Sequence, residues 1–500
     1  MKVPPSIAEG VPKASRPSQS SRNPMTWVIG ILLALSALGV YWLSNQEHYN
    51  LYNHFVWQAD AYLHGRAWFT YPVPTGAELP QNDYFNDVFP ILDANGEQTG
   101  RALLPFPPLP ALVLLPFVAI WGLSTDQELV ALALVGLGVL ATWWMLGGLR
   151  IRTTVRALTT VLFATGTVWW WAAAVGSTWY LAHLVAVNVA LLAVGVALRN
   201  DREAANEDPW DEDDREIVRR ELDEDAGASR LRLVWRSAWP PDPSQVVAGL
   251  LLGIAVTARL PLIFAAPFFI LVGGGRTRLR RLLSAALGGV VPVGLLLGYT
   301  FLTTGSFMHP GYDYQYQLEA YGYPTLGYHT DWSVEDLRYI PQNIAIMFGE
   351  APYILPDIKP DTLGFRDVEQ LCTAPGAQRA LLDMTCPLAI PSDVGTSILL
   401  SAPGLLLSLF AFRSRGFARL AVGSGLAVGI IMVFNLAHFS QGWVQWGYRF
   451  SLDFLPFLLP MVALGAARAD GRPRLLAWAL VVAGLLVNLW GVTWGQLLGW

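Results

Sequence analysis

The sequence predicts an all-α integral membrane protein of about eleven transmembrane helices with two large external loops. Three observations lead there. Hydrophobic residues make up 53% of the 500 and charged residues only 14%, where a soluble domain carries about 25% charged. Apolar runs able to cross a ~30 Å hydrocarbon core recur along the chain. The arginines between them are dense on one side of the membrane and sparse on the other. Mean hydropathy is +0.39, and tryptophan occurs 21 times. This composition excludes a water-soluble enzyme, a nucleic-acid binder and a disordered chain. The net charge of -5 is small, and two cysteines are too few for a disulfide scaffold or a zinc ribbon.

The elements follow in order. Residues 1–24 are rich in Pro and Ser and carry Lys2, Lys13, Arg16 and Arg22 against Glu9. They read as a disordered cytoplasmic tail. The run 25–44 is too long, and too poor in a small-residue cleavage site, for a signal peptide, so it reads as an uncleaved anchor. Further spans read as 127–147, 157–172, 180–198, 282–302, 394–412, 420–437, 450–467 and 475–494. The short runs 246–258 and 261–272 read as a helical hairpin, each arm about 18–20 Å long.

The run 108–121 decides the orientation. If it lies flat on the outer surface, 25 of the 33 Lys and Arg fall on the cytoplasmic side. Pro105, Pro107, Pro108 and Pro110 suit such an interfacial entry. The expected orientation in the plasma (inner) membrane is therefore amino terminus cytoplasmic, carboxyl terminus external.

This division gives a tail (1–24) and a membrane core (25–302) with external loop 45–126 and a charged cytoplasmic insert 199–244. An external loop domain (303–393) and carboxyl-terminal helices (394–500) follow. The first external loop carries Glu47, Asp60, Glu78, Asp83, Asp87, Asp93 and Glu97 against Arg66 and Arg101; the second is rich in tyrosine. The insert mixes charges of both signs and reads as a solvated linker. No internal repeat of the inverted-transporter kind is visible.

No phosphate-cradling loop, His-Glu-x-x-His or nucleophile elbow appears. Gly273-Gly274-Gly275 reads as a span end. His183 and Asn188 lie within a span, where polar groups are costly and usually satisfied by another helix. Cys372 and Cys386 would pair in an oxidising exterior, closing a loop of about 15 residues worth roughly 3 kcal/mol. The remaining polar chemistry gathers at the outer membrane boundary.

There the chain resembles a family. NHFVWQADAYLHGRAWF (53–69) and PFPPLPALVLLPFVAIWG (105–122) look like the first external loop of the GT-C superfamily, and most like its bacterial family 39 and mannosyltransferase-like branch. Phe55, Ala59, Leu63 and Gly65 fit the spacing of its amphipathic helix, and Pro107-Pro108-Leu109 fits the opening of its surface helix. LGIAVTARLPLIFAAPF (252–268) is similar to its short hairpin, with Arg259 at the tip. GWVQWGYRFSLDFLPFLL (442–459) resembles its Trp-Gly-x-Arg segment, with Arg449 at the arginine.

The resemblance implies a membrane glycosyltransferase of the cell envelope. Its partners would be a polyprenyl-phosphate-linked sugar donor, membrane lipid, and a glycan, lipid or protein acceptor on the external face. No cofactor is certain, and a divalent metal is left open. One departure stands out: the family's first-loop aspartate would fall at Leu51 or Tyr52. Either His54 or a relocated carboxylate (Asp60, Asp83 or Asp87) then serves as the base that takes a proton from the acceptor hydroxyl.

Arg259 and Arg449 are the candidates for the lipid phosphate. The alternatives are snorkelling or pairing with Asp453 for Arg449, and pairing with Asp453 or a backbone carbonyl for Arg259. Tyr312, Tyr314 and Tyr316 would stack on sugar rings or form an interfacial aromatic belt. Asp453 would contact substrate or simply partner Arg449. Two other functions stay open, a catalytically altered lipid-binding protein and a transporter or flippase of a lipid-linked saccharide. A transporter should place ionisable groups near the midplane and show related halves.

The orientation has a direct check. A cysteine introduced as S229C should resist an impermeant thiol reagent in intact cells, and one introduced as S333C should react. Labelling of both from outside would return 108–121 to the spanning helices.

Overall fold

The computed structural model describes residues 24–44, 52–70, 87–149, 151–201, 239–322, 329–360, 368–413, 417–442 and 444–500. The tail, most of the charged insert, Leu51 and Asp83 lie outside the described residues.

Among the described residues, six helices are long and apolar enough to cross a membrane. They are α1 (Pro24–Ser44), α4 (Gln127–Leu146), α7 (Thr178–Asn200), α10 (Arg278–Thr304), α14 (Ala418–Ala437) and α16 (Leu475–Leu497). The chain is a multi-pass membrane protein. A seventh crossing is added if α5 (Thr153–Thr165) and α6 (Trp169–Val175) count as one span bent by 45°. The bend follows Gly166, which ends α5, so the run read as 157–172 is two helices.

The four other expected spans are shorter apolar helices. They are α8 (Pro243–Val256), the turn Leu260–Ala265 with α9 (Ala266–Leu271), the stretch Pro403–Arg413, and α15 (Ser451–Ala466). The run read as one span over 394–412 is broken. A four-residue helix α13 (Ile398–Ser401) stops at Ala402, held away from helical geometry at φ -141° because Pro403 follows it.

Helix α15 is buried along almost its whole length. A helix wrapped by other helices satisfies its backbone internally and need not match the bilayer's thickness. Helix α7 is similarly central, whereas α1 and α10 expose most of their apolar surface. Close backbone approach sets the spacing between α8 and α10. A Cβ on Gly249 would lie 2.0 Å from the Ala285 carbonyl oxygen, and one on Gly288 2.0 Å from that of Val246. Small residues permit such contacts, which dispersion then stabilises where water gives no hydrophobic drive.

Outside the membrane the fold departs from all-α. Strands β1 (Phe69–Thr70), β2 (Phe89–Leu92) and β3 (Gln98–Leu103) form an antiparallel sheet in the order β1-β3-β2. The signal lay in Asp93–Gly96: the Asp93 carboxylate accepts from the backbone N–H of Asn95 and Glu97 at 2.8 and 2.9 Å, an Asx turn that reverses the chain. Beside the sheet, the surface helix α2 (His54–Leu63) packs on α3 (Leu109–Trp121).

The described part of segment 303–393 holds α11 (Gly311–Gly322), α12 (Ile340–Gly349) and a pair of two-residue strands, β4 (Tyr353–Ile354) and β5 (Ala389–Ile390). Cys372 and Cys386 form the expected disulfide.

The glycine seam gives a test. Gly249→Val should lower stability in detergent by roughly 3 kcal/mol, because overpacking forces α8 from α10. Gly294→Ala, on the same α10 but facing open space, should leave the thermal midpoint unchanged.

Candidate functional site

The amino-terminal end of α7 gathers the first loop. The Tyr52 carbonyl accepts from the Thr178 backbone N–H at 2.8 Å, the Thr178 hydroxyl at 2.6 Å and the Gln127 side-chain amide at 3.2 Å. The starts of α2, α4 and α7 are thereby tied to one oxygen. The following residues of α7, Trp179, Tyr180 and His183, meet groups from the first loop, the hairpin, α14 and the start of α15.

At the centre lies Asp453, fully buried in the first turn of α15. Arg259 donates to both its oxygens, Nε to Oδ1 at 3.1 Å and Nη2 to Oδ2 at 2.9 Å. Such a fork against a carboxylate is the strong geometry for an arginine pair. Asn435, near the end of α14, donates to Oδ2 at 3.2 Å, and His183 Nδ1 lies 3.1 Å from Oδ1. Arg259 reaches in because α8 ends at Val256 and the chain is extended at Arg259, φ -144°, before the turn Leu260–Ala265.

Arg449 takes a different neighbourhood from the one its spacing implied. It precedes the start of α15, so the helical rule that would pair it with Asp453 does not apply; Asp453 goes to Arg259 instead. Arg449 is half-buried and packs on Gly442, where a Cβ would meet its Cζ at 2.7 Å. Glycine is needed twice there, since its φ is +83°. The Arg449 and Arg259 guanidiniums lie 5.2 and 5.4 Å from the centre of the Phe450 ring. The Tyr180 hydroxyl bonds with Arg449 and accepts from Trp171 Nε1 at 2.8 Å.

Asp87 approaches from the first loop, just before β2. Trp179 Nε1 donates to its Oδ2 at 2.5 Å. Burial pushes the Asp87 carboxyl up to about 6, while the Trp179 bond and the positive charge of Arg449 pull the other way. Tyr312 faces the same space from α11. Burial pushes its hydroxyl up to about 12, opposed by Arg259 and reinforced by Glu335 and Asp87.

The other sequence candidates sit elsewhere. His54 is fully buried, its Nδ1 3.0 Å from the Thr178 hydroxyl and its ring stacked on Tyr52. Burial lowers its pKa to about 3, so the imidazole is neutral and weakly basic at physiological pH. Asp60 lies across one turn of α2 from His64 at 3.5 Å. Tyr314 meets Phe89 edge-on at 5.7 Å. Tyr316 is buried with Val334, Tyr339 and Phe439, against which Tyr312 also packs, its hydroxyl 3.0 Å from that of Tyr339. Asn188 ties α7 to α4 through the Leu134 carbonyl at 2.9 Å.

The structure thus brings together Asp87, Arg259, Arg449, Tyr312 and Asp453, and adds Trp179, Tyr180 and Asn435. Asn435 had a signal, as a lone amide in the apolar run 420–437. Trp179 and Tyr180 had none beyond their position at a span end.

A cavity of about 770 Å³ lies between the three-stranded sheet, the end of α10 and α11. It is lined by Trp68, Phe89, Ile91 and Leu103 from the sheet side, Thr303 at the end of α10, and Tyr314. Phe89 and Tyr314 each stand two residues from a member of the cluster. Among the described residues, no three His, Cys, Asp or Glu side chains gather as metal ligands.

No protein-family model matches the sequence, and no curated protein matches it. Two solved structures of the Archaeoglobus fulgidus oligosaccharyltransferase are similar over 95% of this chain. One, tethered through a disulfide to an acceptor peptide containing the NVT sequon, is 14% identical with a TM-score of 0.40. The other, the apo form, is 11% identical with a TM-score of 0.41. The chain spans 55% and 56% of the length of these two.

The Asp453 clamp is testable by a double-mutant cycle. Arg259→Gln alone should destabilise the protein by about 3–5 kcal/mol, because it strands a buried carboxylate. Adding Asp453→Asn should recover much of that loss in the thermal midpoint. Additive losses would mean that the two side chains do not depend on each other.

Proposed function

We propose that this chain is a GT-C-like membrane glycosyltransferase. It would move a sugar from a polyprenyl phosphate to an acceptor on the face that carries residues 45–126 and 303–393. The observation that carries this reading is that adjacent residues of α7, Trp179 and Tyr180, meet Asp87 at 2.5 Å and Arg449 respectively. A carboxyl pushed up to about 6 stands within electrostatic reach of an arginine that lies outside the Arg259–Asp453 fork. One group suits a proton acceptor working near neutral pH, the other an anionic leaving group.

In this reading Asp87 takes the proton of the acceptor hydroxyl as its oxygen bonds to the anomeric carbon. The bond from that carbon to the phosphate oxygen breaks, and its electron pair leaves with the lipid phosphate toward Arg449. Trp179 holds the Asp87 carboxylate. Tyr180 and Phe450 hold the Arg449 guanidinium. Arg259, His183 and Asn435 act at one remove by fixing the start of α15 through Asp453. Tyr314, at the wall of the cavity, is assigned to the acceptor; Tyr312, which interacts electrostatically with Asp87 and Arg259, to the sugar. Asp83 stays the alternative base in the same loop. His54 is assigned to loop architecture, and so is Asp60.

The same reading keeps eleven crossings with the amino terminus cytoplasmic, the four short helices crossing inside the bundle, and the division into core, external domain and carboxyl-terminal helices.

A second reading, a GT-C-like protein that binds lipid without transfer, is favoured by one observation. At the family's aspartate register stands Tyr52, whose carbonyl is committed to Thr178 and Gln127.

Transfer of labelled sugar from a polyprenyl-phosphate donor by the purified chain in vesicles separates the two. Asp87→Asn should lower transfer by about 10²–10⁴-fold, the usual range for a lost general base. With wild type, the rate should fall about tenfold per pH unit below the Asp87 pKa of about 6, as the base becomes protonated. Arg449→Lys should keep the charge, lose the planar fork and transfer more slowly. Full activity in both variants would rule this site out.

A further inference from the structure

At the end of the bundle remote from Asp453, arginine side chains close the last carbonyls of three helices. Arg474 Nε donates to Gly465 O at 2.9 Å and Ala467 O at 3.1 Å, at the end of α15. Arg281 Nη1 and Arg419 Nη2 share Leu271 O, at 3.3 and 3.2 Å, at the end of α9. Arg156 Nε donates to Trp143 O at 2.6 Å, and Arg199 Nη2 to Trp144 O at 2.5 Å, at the end of α4. Helix carboxyl ends carry partial negative charge, so cations there are stabilising.

Two of these caps are arginine pairs, and the pairs differ in one respect. The Arg281–Arg419 pair has a carboxylate: Arg419 Nη2 is 3.5 Å from Asp201 Oδ1, and the other Asp201 oxygen accepts from the Gly273 N–H at 3.3 Å. The Arg156–Arg199 pair has no carboxylate within 4.0 Å among the described residues.

Yet its two guanidiniums converge. A Cβ on Gly147 would lie 3.0 Å from Arg156 Nη2 and 3.1 Å from Arg199 Nη2. Both are pinned over indoles, Arg156 at 3.8 Å from the Trp143 ring centre and Arg199 at 4.3 Å from that of Trp144. Arg156 is only 8% exposed. Arg199 Nε is buried with no hydrogen-bond acceptor among the described residues. Two full positive charges therefore face a helix end worth about half an elementary charge. Gly147, Gly148 and part of Arg199 remain open to the outside.

We propose that Arg156 and Arg199 bind the phosphate of an anionic phospholipid in the leaflet at this end of the bundle. The chemistry matches: two planar forks side by side suit phosphate oxygens. The position favours a lipid over free phosphate. Arg199 ends α7 and Arg156 lies in the first turn of α5, both against the end of α4, and α4 and α7 leave Leu137 and Leu192 exposed further along for acyl chains.

The test uses the full chain purified in detergent, supplied with phosphatidylglycerol, phosphatidylcholine or inorganic phosphate. Native mass spectrometry should find one phosphatidylglycerol retained per chain. The thermal midpoint should rise with phosphatidylglycerol and not with the other two. The double variant R156Q/R199Q, whose amide at position 156 ends where Arg156 Nε donates to the Trp143 carbonyl, should bind the lipid roughly tenfold more weakly or worse. R156K/R199K should fall between. If the glutamine variant does not insert, G147A carries the test, since it keeps both arginines and crowds the space between them; it should retain less lipid. Undiminished retention in these variants, or equal stabilisation by both lipids, would sink the proposal. Stabilisation by inorganic phosphate with no retained lipid would overturn the lipid as its source.

Discussion

A carboxylate shut away from water must be surrounded by cations and hydrogen-bond donors, and Asp453 is the point where this chain meets that demand. Its desolvation costs several kcal/mol unless the surroundings repay it. The repayment comes from Arg259 in the hairpin link, Asn435 at the end of α14 and His183 one turn inside α7. Helices distant in sequence are brought to one depth by a single side chain. Phe450 and Arg449 stand where they do because the first turn of α15 is fixed three residues later.

Much of the membrane architecture was legible because hydropathy is a sum over many residues. The run read as 180–198 lies inside Thr178–Asn200, and 420–437 inside Ala418–Ala437. Single-residue effects were less visible. Pro403 breaks a run whose average hydropathy is high, and Gly166 ends a helix within another. The small external sheet was hidden by the surrounding helical bias, although its turn residues were present.

The cluster was half legible. Arg259 and Arg449 were found through the segments that carry them, but their partners depend on tertiary geometry. Spacing put Arg449 and Asp453 one turn apart, yet the helix begins only at Ser451, so the turn that would join them does not exist. Asp87 was one of eight acids in its loop. Nothing in the sequence separates it from Asp93, which closes a turn, or from Asp60, which lies across from a histidine. What separates it is the Trp179 N–H.

The Asp453 clamp also bears on biosynthesis. A chain enters the membrane from its amino terminus, so His183 and Arg259 are delivered long before residue 453 has been made. During that interval the arginine has no carboxylate to meet and stays nearer the water, leaving the hairpin loosely seated. Arrival of α15 completes the circuit and draws the hairpin, α7 and α14 together in one late step. A ribosome that stalls before that point leaves a polypeptide with an orphan cation at the bilayer edge, a mark by which membrane quality control can tell an unfinished copy from a finished one.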